Sequence, residues 1–273
     1  MKPLVSICMP TYNGSKHISE AIESILNQSF SNFELLIIDD GSSDDTVSII
    51  KSFSDDRIRF IQNVKNCGLV GNWNRCLSEA KGSYIRFLFQ DDIMSGDSLE
   101  KQVDAFRGNS MVSLCFGASC VINDQGRVTM RRRPFKRSRI FNGDEIMHRS
   151  FRTYNFYGEP SNVMFSMSAS KRVGSFDDSM TYAPDWDYWL RLSSCGDVAY
   201  VDEELSRFRV NTESMTGKLF QEDSARLKKD DAFFIEAVSK RFETSISNVD
   251  VLLHKVSVTL RTFGKRIYFL IHR

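Results

Sequence analysis

Two apolar runs in this chain each end in a pair of aspartates. Glu34-Leu35-Leu36-Ile37-Ile38 leads into Asp39-Asp40-Gly41-Ser42, and Tyr84-Ile85-Arg86-Phe87-Leu88-Phe89 leads into Gln90-Asp91-Asp92. Short apolar runs bounded by turn-forming residues read as buried strands. In an open α/β sheet, ligands bind outside the carboxyl ends of the strands. Carboxylates crowded at such an edge repel one another unless a cation or a ligand donor separates them. The pattern predicts a metal and a polar ligand held at one sheet edge.

The strands fall in a repeating series. Leu4–Met9 is strand-like, and Ile18, Ala21, Ile22 and Ile25 then share one helical face. Strand 35–38 follows, then a helix carrying Val47, Ile50 and Phe53 behind Ser43-Asp44-Asp45, then a short strand over 57–61. Trp73, Cys76, Leu77 and Ala80 mark the next helix, before the strand that ends at Asp91-Asp92. Such alternation predicts right-handed crossovers and a mostly parallel sheet. After a helix over Leu99, Val103 and Phe106 the pattern changes. Residues 111–122 and 127–129 flank Asn123-Asp124-Gln125-Gly126, a turn between antiparallel strands. Residues 162–168 read as a strand, Trp186–Ser193 as a helix, 198–201 and 205–210 as two more strands, and the chain from about Lys218 as helical.

Composition narrows the function. The 273 residues are 41% apolar and 26% charged, with a formal net charge of +1. That is ordinary for a globular chain with a real core, and it excludes a dedicated nucleic-acid binder. The six cysteines form no C-x-x-C pair and sit mostly in apolar runs, which suits reduced core thiols and a reducing compartment. The apolar part of the N-terminus is short for a signal peptide and reads as a strand, and no stretch of 18 apolar residues predicts a spanning helix.

Three further segments can carry chemistry. Pro10-Thr11-Tyr12-Asn13-Gly14 follows the first strand, where Tyr12 can stack on a base; it is neither a G-x-G-x-x-G fingerprint nor a P-loop. Asn66, Gly68, Asn74 and Arg75 lie between the third and fourth strands, and Arg75 can act as a fork donor to phosphate or as a surface ion pair. In Pro184-Asp185-Trp186-Asp187-Tyr188-Trp189, Asp185 can cap a helix or serve as a general base. Its aromatic neighbours suit either a sugar platform or the core.

Together these segments resemble family 2 glycosyltransferases, which share the GT-A nucleotide-sugar-binding fold. The resemblance runs from about Val5 to Thr216 and includes Gly174-Ser175-Phe176-Asp177. It implies an α/β, Rossmann-like GT-A fold: a mostly parallel central sheet flanked by helices, with a helical C-terminal extension. The implied domain covers 1–217, with a nucleotide-sugar half (1–110) and an acceptor half (111–217), followed by the extension over 218–273. By the same resemblance, Pro10, Tyr12, Asp39, Asp40, Asn66, Gly68, Asn74, Arg75 and Asp91 would line the nucleotide-sugar site. Asp92 would be the direct metal ligand, with Asp91 toward ribose or metal, and Mn²⁺ or Mg²⁺ would be the ion. Asp185 would be the catalytic base, and Glu159 and Trp186 would line the acceptor side.

Three positions depart from the family's commoner pattern. Phe89 stands where an acid is usual, Pro184 replaces a Glu before the base, and Asn211 replaces a His, which makes Asn211 a doubtful ligand. The implied activity is metal-dependent, inverting transfer of a sugar from a UDP-sugar to a glycan or lipid-linked hydroxyl. By analogy it belongs to bacterial surface polysaccharide assembly, in the cytoplasm or on the inner face of its membrane. The rivals are a non-catalytic nucleotide-binding scaffold and a nucleotidyltransferase. The latter lacks the basic Gly-rich loop that a triphosphate needs. The basic run 131–139 and the apolar, basic C-terminus suit anionic lipid, core packing or a second subunit.

Overall fold

A computed structural model of the chain describes residues 2–180, 183–210 and 224–271. Its first half is the expected alternation. Strands β1 (Val5–Thr11), β2 (Phe33–Asp39), β3 (Ile58–Gln62) and β4 (Tyr84–Phe87) are joined through helices α1 (Ile18–Leu26), α2 (Thr46–Ser52) and α3 (Leu69–Glu79). β1 pairs in parallel with β2 on one side and β4 on the other, and β3 extends the sheet beyond β2. β1 and β2 are buried along their whole length, as strands covered on both faces must be. Pro10 is tolerated in this central strand because β4 pairs with β1 only as far as Cys8.

The second half adds β5 (Ile93–Met94), α4 (Ser98–Phe106), β6 (Val112–Ile122), β7 (Val128–Arg132), β8 (Arg139–Phe141) and α5 (Gly143–Arg152). A 3₁₀ turn (Pro160–Asn162), β9 (Val163–Ser166), α6 (Met167–Val173), α7 (Pro184–Ser193) and β10 (Asp197–Arg209) follow. The strand order is β3-β2-β1-β4-β9-β6-β10-β5, with β7 on β6 and β8 on β10. β9 runs antiparallel to both β4 and β6, and so joins the parallel first half to the β6/β10 pair. Helices α8 (Ser224–Arg241) and α9 (Asn248–Ile271) close the described chain.

Each face of the sheet has its own core. Val5, Ile7 and Met9 of β1 pack with α1, α4 and Ile50 of α2. Cys8 of the same strand faces the other way, toward Trp73 and Cys76 of α3 and the aromatic residues of α7. The alternation follows from the two-residue period of a strand.

Three local expectations need correction. The two strands expected over 198–201 and 205–210 are one, β10, whose register against β6 slips between Val201 and Ser206. A bulge adds residues without ending the strand, which is why the pattern breaks there. The strand expected over 162–168 stops at Ser166, whose hydroxyl caps α6 by accepting from the Ala169 N–H. Helix α5 was not anticipated; Asn142 caps it by accepting from the Glu145 N–H, and Ile146, Met147 and Phe151 form its buried stripe.

One buried charge ties the halves together. Arg86 of β4 is fully buried. Its guanidinium donates to Gln102 Oε1 (2.6 Å), to the Ser161 carbonyl (2.9 Å), to the Leu205 carbonyl (3.0 Å) and to Ser98 Oγ. Burial pulls its pKa down to about 9. Arg86→Met should therefore strand buried acceptors on α4, the 160–162 turn and β10. We expect a loss of about 3–5 kcal/mol, read as a lower urea midpoint at unchanged slope.

Candidate active site

The carboxyl ends of β1, β2 and β4 lie side by side, so their following turns form one edge. Asp39, the last residue of β2, is fully buried. Its carboxylate accepts from the Gly41 N–H (3.2 Å), the Ser42 N–H (3.0 Å), the Ser42 hydroxyl and Gln62 Nε2 (3.3 Å). Asp40 anchors the loop before α3 instead: its carboxylate accepts from Asn63 Nδ2 (2.6 Å) and from the N–H groups of Cys67 (2.8 Å) and Gly68 (3.0 Å). Gly68 sits at φ 77°, a conformation that side chains other than glycine's strain to adopt. Asn66 clasps the same loop, donating to the Asp40 carbonyl and accepting from the Gly68 N–H.

The loop after β1 is held in place by side chains that cross between turns. Gln90 makes a two-way amide bond with Tyr12, accepting from its N–H (2.9 Å) and donating to its carbonyl (3.0 Å). A Cβ on Gly14 would lie 2.3 Å from the Gln90 amide, so only glycine admits this contact. Asn13, at φ 48°, accepts from the Ser43 N–H (2.9 Å). The Tyr12 ring is left half exposed, free to meet a ligand face.

Two residues placed by resemblance on the nucleotide side are engaged elsewhere. The Asn74 amide donates to the Phe176 carbonyl (3.0 Å) and accepts from the Phe176 N–H (2.8 Å). It buttons α3 to the 174–177 segment. Arg75 donates to Asn63 Oδ1, the residue that also holds Asp40.

The adjacent acids after β4 are not equivalent. Asp92 is fully buried, and its carboxylate accepts from Ser161 Oγ and from the Arg209 N–H (2.9 Å). Asp91 remains partly exposed. Burial, and then the charge of Asp91, push the Asp92 pKa well above the usual carboxylate range; burial also raises that of Asp91. Of the two, Asp91 is the acid that faces outward, and Asp92 is the acid that holds the turn. Arg209 reinforces the turn by donating to the Asp91 carbonyl (2.8 Å) and to Glu20 (2.6 Å). Asn211 lies outside the described residues.

Asp185 occupies the first turn of α7, behind Pro184. Burial lifts its carboxyl pKa to about 6, although the Asp185 and Trp186 N–H groups and Asn155 Nδ2 (3.4 Å) favour the ion. Asn155 begins the segment whose other end is Ser161, the hydroxyl on Asp92. Glu159, between them, is buried and ion-paired to Arg132 of β7. Asp185 and Asp92 are thus hydrogen-bonded to opposite ends of one segment, 155–161, with Glu159 inside it. Trp186 is engaged elsewhere. Its ring is 3% exposed, its Nε1 donates to Ser150 Oγ (2.8 Å), and it stacks on Phe234. It is core, because both of its faces are already covered.

Gln90, Asn155, Ser161 and Arg209 carry contacts that motif reading did not assign. Gln90 directly precedes the Asp91-Asp92 pair and Ser161 lies two residues beyond Glu159; Asn155 has no local signal, since only the fold brings it to Asp185. Among the described residues no three His, Cys, Asp or Glu side chains form a preassembled metal cluster.

The raised pKa of Asp185 has a cost in stability. A carboxyl whose folded pKa exceeds its unfolded value destabilises the fold progressively as pH rises from about 3.9 to about 6, and fully above that. Asp185→Asn should thus stabilise the ligand-free protein by roughly 3 kcal/mol at pH 7.5 and by almost nothing at pH 4. Denaturant midpoints at the two pH values check this.

Comparison with known proteins agrees with this geometry. The chain is 30% identical over 217 residues to an uncharacterized glycosyltransferase of Methanocaldococcus jannaschii, covering 77% of this chain and 71% of the relative. It is 31% identical over 205 residues to the chondroitin synthase of Escherichia coli, covering 74% of this chain and 28% of that protein. Over 125 residues it is 41% identical to an E. coli UDP-Glc:alpha-D-GlcNAc-diphosphoundecaprenol beta-1,3-glucosyltransferase, covering 46% of this chain and 49% of that one. The fold matches S. aureus TarS (1–349) in complex with UDP-GlcNAc at TM-score 0.65 and 18% identity, over 77% of this chain and 59% of TarS. It matches the Pyrobaculum calidifontis mannosyltransferase PcManGT in complex with GDP-Man and Mn²⁺ at 0.61 and 16%, over 99% of this chain and 86% of that one. The chain spans 66% of the length of a Mycobacterium tuberculosis relative to which it is 33% identical. The family profile of Glycosyl transferase family 2 matches residues 6–174, and the chain is a member of that family, built on the GT-A glycosyltransferase fold.

Proposed function

We propose that this glycosyltransferase is an inverting, metal-dependent enzyme that moves a sugar from a nucleotide-sugar to a hydroxyl of a glycan or lipid-linked acceptor. The observation that carries the reading is the pairing of Asp185 with the Asp91-Asp92 turn through the segment 155–161. A carboxyl with a pKa of about 6 is ionised at neutral pH yet basic enough to take a proton. In a single displacement, Asp185 accepts the acceptor hydroxyl's proton as its oxygen bonds to the anomeric carbon. The bond from that carbon to the β-phosphate oxygen breaks, and the nucleoside diphosphate leaves with the electron pair. Attack from the opposite face inverts the centre, so an α-linked donor gives a β-linkage.

The residues present suit a divalent ion. Asp91 and Asp92 are adjacent acids that burial makes costly to charge, and their hard oxygen donors match Mn²⁺ or Mg²⁺. Asp91 would hold the ion from the protein side, with Asp92 behind it. Such an ion supplies Lewis-acid neutralisation of the charge on the departing diphosphate. The Mn²⁺ and UDP-GlcNAc named with the two structural neighbours support a metal and a UDP-sugar; the two E. coli relatives support polysaccharide assembly and a diphosphate-lipid acceptor.

The same reading puts the enzyme in the cytoplasm, against the inner face of the membrane. No described helix is long and apolar enough to cross a membrane. Yet α9 exposes Val249, Leu252, Leu253, Val256 and Leu260 along one face. From Val251 to Arg273 the sequence has five Lys or Arg and no acid. An apolar stripe on a basic helix suits an anionic bilayer surface. The enzyme should float with phosphatidylglycerol vesicles, and Leu252→Asp/Leu260→Asp should not; equal flotation of both would remove the membrane role.

A panel of UDP-, GDP- and dTDP-sugars with Mn²⁺ and diphosphate-lipid acceptors tests the activity. Release of nucleoside diphosphate with at least one donor is expected, with kcat/KM rising with pH to a plateau above about 6, as Asp185 loses its proton. Asp185→Asn should cut turnover by roughly 10²–10⁴-fold while donor affinity stays within twofold. No release from any donor would leave a non-catalytic nucleotide binder.

A further inference from the structure

The two residues that follow Asp185 are both held by the C-terminal helices. Asp187, one position beyond Trp186, is fully buried, and its carboxylate pairs with Arg191 of its own helix (2.8 Å) and with Arg241 at the end of α8. The second arm of Arg241 reaches Asp177 (2.7 Å), in the segment that leads toward α7. The Trp186 ring packs against Phe234 of α8 (centroids 4.8 Å apart, planes 24°) and His254 of α9 (5.6 Å, 26°), which also touch each other (6.0 Å). His254 is itself fixed, with Nδ1 2.6 Å from the Phe151 carbonyl of α5 and Nε2 3.3 Å from Asp231 of α8. The start of α9 is set by a reciprocal cap, in which the Ser247 N–H donates to Asp250 (2.7 Å) and Ser247 Oγ accepts from the Asp250 N–H (3.3 Å).

We infer that α8 and α9 position the catalytic base: Arg241, Phe234 and His254 grip Asp187 and Trp186, and so fix the first turn of α7 that presents Asp185 to the acceptor. The inference rests on the reading of Asp185 as base. None of the gripping residues lies within the stretch that matches the family profile, residues 6–174. They lie in the C-terminal extension. Geometry explains why such a grip is needed. Helix α7 enters behind Ala183 at φ 52°, a left-handed residue without glycine's freedom, and its N-cap position has no side-chain hydrogen bond. With no side-chain cap from Ala183, the first turn draws on distant partners for its placement. Arg241, Phe234 and His254 are positioning residues; they touch the base helix and not the reacting atoms.

The test is Arg241→Gln in the full chain, with Asp187→Asn as a second, isosteric cut at the same pair. Folding is verified by circular dichroism and thermal melting. In the wild type, the carboxyl-¹³C resonance absent from Asp185→Asn identifies Asp185, with a midpoint expected near 6. Loss of a cation alone would push that midpoint up, whereas loosening and hydration of the helix start would bring it down. We expect a fall of at least half a unit in Arg241→Gln, together with a kcat at least tenfold lower at a donor KM within twofold. Arg241→Lys should recover most of both. An unchanged or raised midpoint, or equal losses in kcat and donor affinity, would overturn the inference. If Arg241→Gln does not fold, Asp187→Asn is read in its place for turnover and for rescue. If Asp185→Asn retains full turnover, it is the base assignment that fails, and the ¹³C midpoint still reports the grip.

Discussion

The structure depends on a guanidinium that water cannot reach. Arg86 is buried in the middle of the sheet with no carboxylate partner among the described residues, and its two terminal nitrogens donate to carbonyl, hydroxyl and amide oxygens from three other elements. A buried cation is tolerated only where dipoles converge on it, so its neighbours are fixed in turn. One of them, Ser161, accepts from Arg86 with its carbonyl and donates to Asp92 with its hydroxyl. The interaction that joins the two halves of the sheet therefore also sets the acid turn of the site.

From that point the site divides its labour among similar residues. Of the Asp39-Asp40 pair, one acid closes its own turn and the other anchors the loop ahead of α3. Of Asp91-Asp92, the second is locked inward and the first is left to the cleft. Crowded acids with raised pKa values make the ligand-free site electrostatically strained. The raised pKa of Asp185 costs the ligand-free fold some stability at neutral pH.

Much of the first half was legible in the sequence, because its determinants are local. The periodicities of Val5–Met9, Ile18–Ile25 and Leu35–Ile38 give strand, helix and strand, and the crossover rule gives their pairing. The hairpin around Asn123–Gly126 announces itself by its turn residues. What was hidden depends on contacts far apart in the chain. The orientation of Asp92 is decided by Ser161, 69 residues away, and by Arg209, 117 away. Trp186 looks the same in sequence whether it lines a cleft or a core; only the arrival of α8 and α9 decides. β10 read as two strands because its bulge imitates a turn.

We propose that acids distant in sequence serve one pocket, with Asp91 on the diphosphate side and Asp185 across the sugar from it. A crystal structure of the full chain with UDP and Mn²⁺ tests this. Mn²⁺ at Asp91, the uracil beside Tyr12 and Asp39, and Asp185 facing the space beyond the β-phosphate are expected. Mn²⁺ bound away from Asp91, or UDP on a surface that Asp185 does not face, would contradict it.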